Sequence, residues 1–245
     1  YKITGTPSFT GLSNYIQLFT MDNEFWNSLK VTLAYTLYTV PGKLVMALAV
    51  AVFLNRDIKG INLIRTLYYI PSLFGGSVAV ALLWKIMFMD NGVINRFLSI
   101  LNIPSVKLLD TSFAVILGLI YNYLPFMVLP IFTSLEKLDN KVIEAAQDLG
   151  ADGRKVFTKV ILPMSMPGVY SGIIMVFIPC LSTFVISEKL GGGKVYLIGN
   201  VINDMFNQNY NFNVGAAISL VMMFIMILTL VVFSFLDDET KEGIL

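Results

Sequence analysis

From Met205 to Leu236 the chain carries no charged residue, and the stretch from about Pro163 to Ser187 is equally free of charge. A segment that crosses a bilayer needs about 20 predominantly apolar residues. Inside lipid every backbone N–H and C=O must be paired within the protein, so only helices or a closed barrel can span it. Barrel strands would show alternating segments of about ten residues. These runs are continuous, so they read as helices. Three earlier stretches meet the same length: Val31 to Leu54, interrupted by Pro41-Gly42-Lys43; Thr66 to Phe88, with Lys85 near its far end; and Ser112 to Leu135. The last span is expected to start near Val214. The expected fold class is all-α, a polytopic membrane helix bundle with five transmembrane helices. Residues 31–236 form its transmembrane domain, with a loop at 136–163, an external segment at 1–30 and a tail at 237–245.

Composition removes several classes of function. The chain has 245 residues, 56% of them hydrophobic and 13% charged, with a mean hydropathy of +0.74. Soluble domains carry about 25% charged residues. A net charge of +1 supplies no basic field for nucleic acid. There is no histidine, which removes the commonest general base and transition-metal ligand. An intramembrane enzyme would need a paired intramembrane Asp, a Ser-His set or a metal cluster, and none is readable. Cys180 lies inside an apolar run and reads as a small buried hydrophobe. Gly191-Gly192-Gly193-Lys194 lacks the earlier glycine of a phosphate loop and is followed by Val195. It reads as a flexible external turn, and the chain is not expected to hydrolyse ATP or to bind a cofactor itself.

Lys and Arg in the connections set orientation. Arg56, Lys59 and Arg65 follow the first span; Lys137, Lys141, Arg154, Lys155 and Lys159 follow the third. The other two connections hold only Arg96 with Lys107, and Lys189 with Lys194. The richer loops fall on one side, so the expected N-terminus is outside and the 136–163 loop and C-terminal tail are cytoplasmic. The chain begins at Tyr1 with no signal peptide, and one preceding helix is expected to be missing. Pro41, Pro71 with Gly75-Gly76, Pro125, Pro130, Pro167 and Pro179 punctuate the spans. Such breaks can line a transport path or be ordinary membrane-helix residues.

The cytoplasmic loop is the most informative polar segment. Asn140 can cap a short helix that Gly150 stops. Val142, Ala145, Ala146 and Leu149 share one face of it at spacings of three and four. Asp152 can cap a second helix bearing Val156, Phe157, Val160 and Ile161 on its apolar face, which Pro163 should end. Such an amphipathic pair either docks a partner protein or rests on lipid, and pattern alone leaves both open.

Glu144-Ala145-Ala146, three residues, Gly150, nine residues, Val160, one residue, then Leu162-Pro163 resembles the signature of permease subunits of binding-protein-dependent ATP-binding cassette importers. The family's consensus Ile is Val160 here. The resemblance implies a type I importer permease fold in a bacterial-type plasma (inner) membrane. It implies that Glu144, Ala145, Ala146, Gly150, Val160, Leu162 and Pro163 form the element that docks on a separate ATPase subunit, which holds the ATP and magnesium. The implied partners are ATPase subunits, a second permease, an extracytoplasmic solute-binding protein and the lipid bilayer, with no nucleic acid. Transport would follow alternating access driven by the ATPase. A membrane scaffold or channel without an ATPase is the remote alternative.

The two halves point to different cargo. Tyr123 to Pro130, Leu135 to Asp139, Glu144 to Ala151, Gly191 to Lys194 and Leu197 to Ile202 resemble spermidine/putrescine permeases. Gly11 to Tyr15, Phe25 to Leu29 and Arg65 to Pro71 resemble sugar permeases. A polyamine path should offer carboxylates and aromatic faces, for which Tyr121, Tyr123, Phe177, Phe184 and Glu188 are candidates. A sugar or oligosaccharide path would use aromatic stacking with neutral donors such as Asn122, Ser182, Thr183 and Ser187. Lys43 lies far enough into its span to need a local partner.

Overall fold

The computed structural model describes residues 10–21, 23–56, 58–70 and 78–242. Its elements are helical: α1 Ser13–Met21, α2 Asn23–Leu54, α3 Ile61–Tyr69, α4 Val78–Phe88, α5 Val93–Ile100, α6 Ser112–Glu136, α7 Asn140–Asp148, α8 Gly153–Val156, α9 Leu162–Ser182, α10 Val185–Leu190, α11 Ile198–Asn207 and α12 Phe212–Glu242. A π-helical turn, Phe157–Ile161, joins α8 to α9. Five helical stretches are long and apolar enough to cross a membrane: Asn23–Leu54, Val78–Ile100, Ser112–Glu136, Gly153–Ser182 and Phe212–Phe235.

Three spans differ from expectation. α2 runs unbroken through Pro41, because one missing N–H costs a single bond while the adjacent turns stay paired. The prolines at 125 and 130 likewise sit inside α6. The second span begins at Val78 rather than Thr66, since Thr66 belongs to the separate short helix α3. Pro71, Gly75 and Gly76 lie outside the described residues. The fourth span starts at Gly153, ten residues before Pro163, and ends at Ser182. Its one break follows at Thr183–Phe184, before α10.

The chain packs as two compact units. The first comprises residues 1–39, 76–120 and 178–228. Its core includes Phe25, Phe88, Val115, Leu119, Leu181, Ile186, Leu190, Ile198 and Ile218. The break after α9 lies here, and it frees backbone groups that a low-dielectric interior must pair. The Phe184 carbonyl accepts the Glu188 N–H at 2.9 Å, and buried Asn200 of α11 ties this break to the start of its own helix. Its Oδ1 accepts the Leu197 N–H at 3.0 Å and lies 2.6 Å from the Ser187 hydroxyl, and its Nδ2 donates to the Phe184 carbonyl at 3.3 Å. The Ile198 N–H donates to Thr32 Oγ1 of α2 at 2.8 Å. Gly199 permits the close approach: a Cβ there would stand 2.6 Å from the Thr183 carbonyl oxygen. A second buried asparagine, Asn95 of α5, pairs both backbone groups of Val106, at 2.9 and 3.0 Å. The Gly191–Lys194 turn, expected to be a flexible external turn, is exposed from Gly192 to Lys194 and anchored at its first residue. Gly191 is buried, its carbonyl accepts the Lys194 N–H at 2.9 Å, and the Asp110 N–H reaches Leu190 O at 3.0 Å.

The second unit comprises residues 40–75, 121–177 and 229–245. Ala47, Ala51 and Leu54 of α2, Met127, Val128 and Ile131 of α6, and Val169 and Val176 of α9 are buried in it. Lys43 is also buried, with its ammonium 5.2 Å from the centroid of the Tyr123 ring. The aromatic face supplies the local partner that so deep a cation needs.

Candidate functional site

The loop 136–163 belongs wholly to the second unit. The cap of α7 is Asp139, one residue before the expected Asn140: its Oδ1 accepts the Lys141 N–H at 3.0 Å. The helix ends in a paired-turn C-cap. The Gly150 N–H donates to Gln147 O at 2.8 Å and the Ala151 N–H to Ala146 O at 3.0 Å. Gly150 has φ +82°, the left-handed conformation this cap requires at its C′ position. Asp152 caps α8 as expected, accepting from the Lys155 N–H at 2.8 Å. Pro163 does not end that helix. The π turn widens the backbone just ahead of the proline, where Leu162 N–H bonds five residues back to Phe157 O, and α9 continues through it.

This geometry sorts the signature residues. Glu144, Ala145, Gly150 and Pro163 are exposed, and Ala146, Val160 and Leu162 are half-buried. On α7 the apolar face stays open, with Val142 41% and Leu149 90% exposed. Val156 of α8 is buried, while Phe157, Val160 and Ile161 are half-buried. Of the two expected apolar faces, the second packs on its own unit and the first is presented outward. A leucine so exposed, beside a small alanine and behind a rigid cap, can be covered by another surface at little ordering cost.

The candidate path residues are dispersed. Tyr121, Tyr123 and Phe177 lie in the second unit. Tyr121 is 43% exposed, Tyr123 is buried against Lys43, and Phe177 stacks edge-on with Phe233 at 6.0 Å. Ser182, Phe184 and Glu188 lie in the first unit. Glu188 is half-exposed and paired with Lys189 at 2.6 Å. Ser182 and Phe184 line one cavity of about 500 Å³ with Asn203, Phe206, Asn207 and Ser219. The last four were not singled out from sequence. A signal was present: Asn200, Asn203 and Asn207 recur at helical spacing, so one face of α11 is amide-rich. Ser187, named as a neutral donor, is instead committed to Asn200. Asn122 is buried.

Beside the cavity, Tyr196 donates its hydroxyl to Asp204, whose other oxygen receives Gln208 Nε2 at 2.5 Å and Asn203 Nδ2 at 3.3 Å. Burial, and then the bond to Asp204, push the Tyr196 phenol well above its ordinary value. Among the described residues no group of His, Cys, Asp and Glu could hold a metal ion.

Residues 18–238 match the family model described as binding-protein-dependent transport system inner membrane component. The chain is 41% identical over 152 residues to the spermidine/putrescine transport system permease protein PotB of Haemophilus influenzae, a match covering 61% of this chain and 53% of that protein. It is 34% identical over 224 residues to the PotB of Salmonella typhimurium, covering 91% of this chain and 77% of that protein. Its fold is similar to a crystallised bacterial alginate ABC transporter in complex with an alginate pentasaccharide-bound periplasmic protein. That likeness has a TM-score of 0.78 at 20% identity and covers 96% of this chain and 83% of the matched one. The helical bundle, the loop signature and the matched family agree: this chain belongs to the binding-protein-dependent transport system inner membrane components, the permease subunits of ATP-binding cassette importers.

Proposed function

We propose that this chain forms half of the membrane path of an importer that brings a polyamine such as spermidine or putrescine into the cytoplasm. The chain is a transport subunit; ATP and magnesium belong to a separate ATPase. The observation that carries the reading is the rigidly capped α7 with its open face of Val142, Ala145 and Leu149 beside Glu144. An ATPase subunit covers this face, and its ATP-driven closure moves the loop and the helices continuous with it, alternating access between the two sides. Val160 and Leu162 hold the loop to its own unit, while Glu144, Ala145 and Gly150 meet the ATPase. A solute-binding protein delivers cargo on the opposite side, and a second permease completes the path. The Lys- and Arg-rich connections support a cytoplasmic 136–163 loop and tail and an outside N-terminus.

Resemblance to the two PotB proteins favours polyamine. A second reading, a sugar or oligosaccharide, draws on the cavity lined by Ser182, Asn203, Asn207 and Ser219 with Phe184 and Phe206. Neutral hydrogen-bonding groups beside aromatic faces suit a carbohydrate. Uptake of labelled spermidine by vesicles holding the assembled importer tests the choice. Saturable uptake that sugars do not compete supports polyamine; sugar uptake indifferent to spermidine overturns it.

A further inference from the structure

A polar cavity of about 440 Å³ in the second unit takes no part in the reading above. It is lined by Asn55, Arg56, Gly60, Ile61, Asn62 and Arg65, with Ile58 at its edge. Arg65 is anchored. Its Nε donates to Leu54 O at 2.9 Å, its Nη1 to Asn62 Oδ1 at 3.2 Å, and its guanidinium lies 4.8 Å from the Phe132 ring centroid. The Arg65 fork thus occupies the carbonyl that α2 leaves open at its C-terminus. Neither Arg56 nor Arg65 has a carboxylate within ion-pair distance among the described residues. The first turn of α3 holds no acidic residue, and Gly60 gives it no side-chain cap, so neither supplies a counter-charge to its partial positive end. Lys59 adds a further cation to the segment, and Asp57, outside the described residues, its one anion.

The flank of α3 is apolar and open: Leu63 is 65% exposed, Leu67 58% and Ile70 44%. A short helix with basic residues at one end and an uncovered apolar face is built to lie at a membrane interface. Basic pockets at the ends of membrane helices take anionic lipid head groups.

We propose that this cavity binds the phosphate of an anionic phospholipid, held by Arg56 and Arg65 and the N-terminal turn of α3, with the acyl chains along Leu63 and Leu67. The site rests on the membrane family, and on neither the cargo nor the ATPase contact. Loss of lipid binding with uptake unchanged would therefore separate the two readings. Native mass spectrometry of the full chain released from vesicles of equal parts phosphatidylethanolamine and phosphatidylglycerol measures it directly. Phosphatidylglycerol should be retained over phosphatidylethanolamine. Arg56→Gln should lower that retention about fivefold, the worth of one basic residue at a charged membrane surface, and Arg56→Lys should keep most of it. Among the described residues Arg56 makes no side-chain hydrogen bond, so this variant should leave the fold intact, whereas Arg65→Gln would also free Leu54 O. Lys155→Gln, a basic change in the separate 136–163 loop, should leave retention unchanged. Equal retention of both lipids, an inert Arg56→Gln, or an equal loss with Lys155→Gln would overturn the site. Displacement of the lipid by inorganic phosphate would show a free-anion site and overturn the lipid assignment.

Discussion

Single polar side chains decide how this apolar chain tolerates its irregularities. Asn200 and Ser187 together close the gap left where α9 stops at Ser182. Asn200→Leu would leave the buried Leu197 N–H unpaired, at about 1–3 kcal/mol, and strip the Ser187 hydroxyl of its amide partner, while the Phe184 carbonyl keeps the Glu188 N–H. Thermal unfolding in detergent should fall sharply for this variant, and far less for Asn207→Leu, whose amide is exposed. Lys43 and Tyr123 form the other critical pair. Tyr123→Leu deprives a buried ammonium of its aromatic face, whereas Lys43→Met removes the charge itself, so the tyrosine change should destabilise more. A double-mutant cycle on unfolding should return a coupling of about 0.5–2 kcal/mol. Tyr196 allows a pH test. A phenol whose folded-state value is raised contributes stability that is full below its ordinary value of 10.0 and is lost as pH climbs above it. The stability difference between the parent and Tyr196→Phe should therefore be constant through neutral pH and shrink only above about pH 10. Of these groups, Lys43 was legible in sequence as a cation needing a partner. Its partner, like that of Asn200, lay far along the chain and was not.

At the level of elements, the docking loop was the most readable part. Asp152 and Gly150 stand where local rules put a cap and a stop, because both act on backbone groups within five residues. The cap of α7 fell one residue early, at Asp139, since two adjacent short polar side chains can each serve and only backbone angles choose between them. The continuity of α8 into α9 was not legible. Proline ordinarily ends a helix, and the π turn that absorbs Pro163 leaves no mark in composition. Two variants separate the loop's roles. Leu149→Glu alters a side chain that is 90% exposed, so stability should stay within about 0.5 kcal/mol. Co-purification with the ATPase subunit should nonetheless weaken by about tenfold or more, as for loss of an interface anchor. Gly150→Val forces a branched residue into the left-handed region at about 1–2 kcal/mol and should lower both loop order and uptake. Unchanged ATPase binding in Leu149→Glu would show that the open face of α7 is not the docking surface.

At the scale of the molecule, topology is the sharpest prediction. Cys180 is the chain's one cysteine and is buried, so a Cys180→Ser background can carry single reporters. A cysteine at Leu149 should react with a membrane-impermeant thiol reagent only after the cytoplasmic side is opened. One at Gly193 should react from outside in intact cells, and the reverse pattern would invert the orientation. The apolar runs by themselves determined that this chain is a helical membrane protein. Lipid offers no partner to a free backbone group, so length and hydropathy suffice for that conclusion. The loop signature pointed to the machine through its resemblance to importer permeases, since that signature lies within one continuous stretch of sequence. Tertiary structure alone decided where the spans start and stop, which apolar face of the loop is left open, and which polar residues are spent on backbone repair rather than offered to cargo. Those outcomes depend on groups distant in sequence meeting in a low-dielectric interior, where an unpaired polar atom is costly and its partner cannot be read from its neighbours.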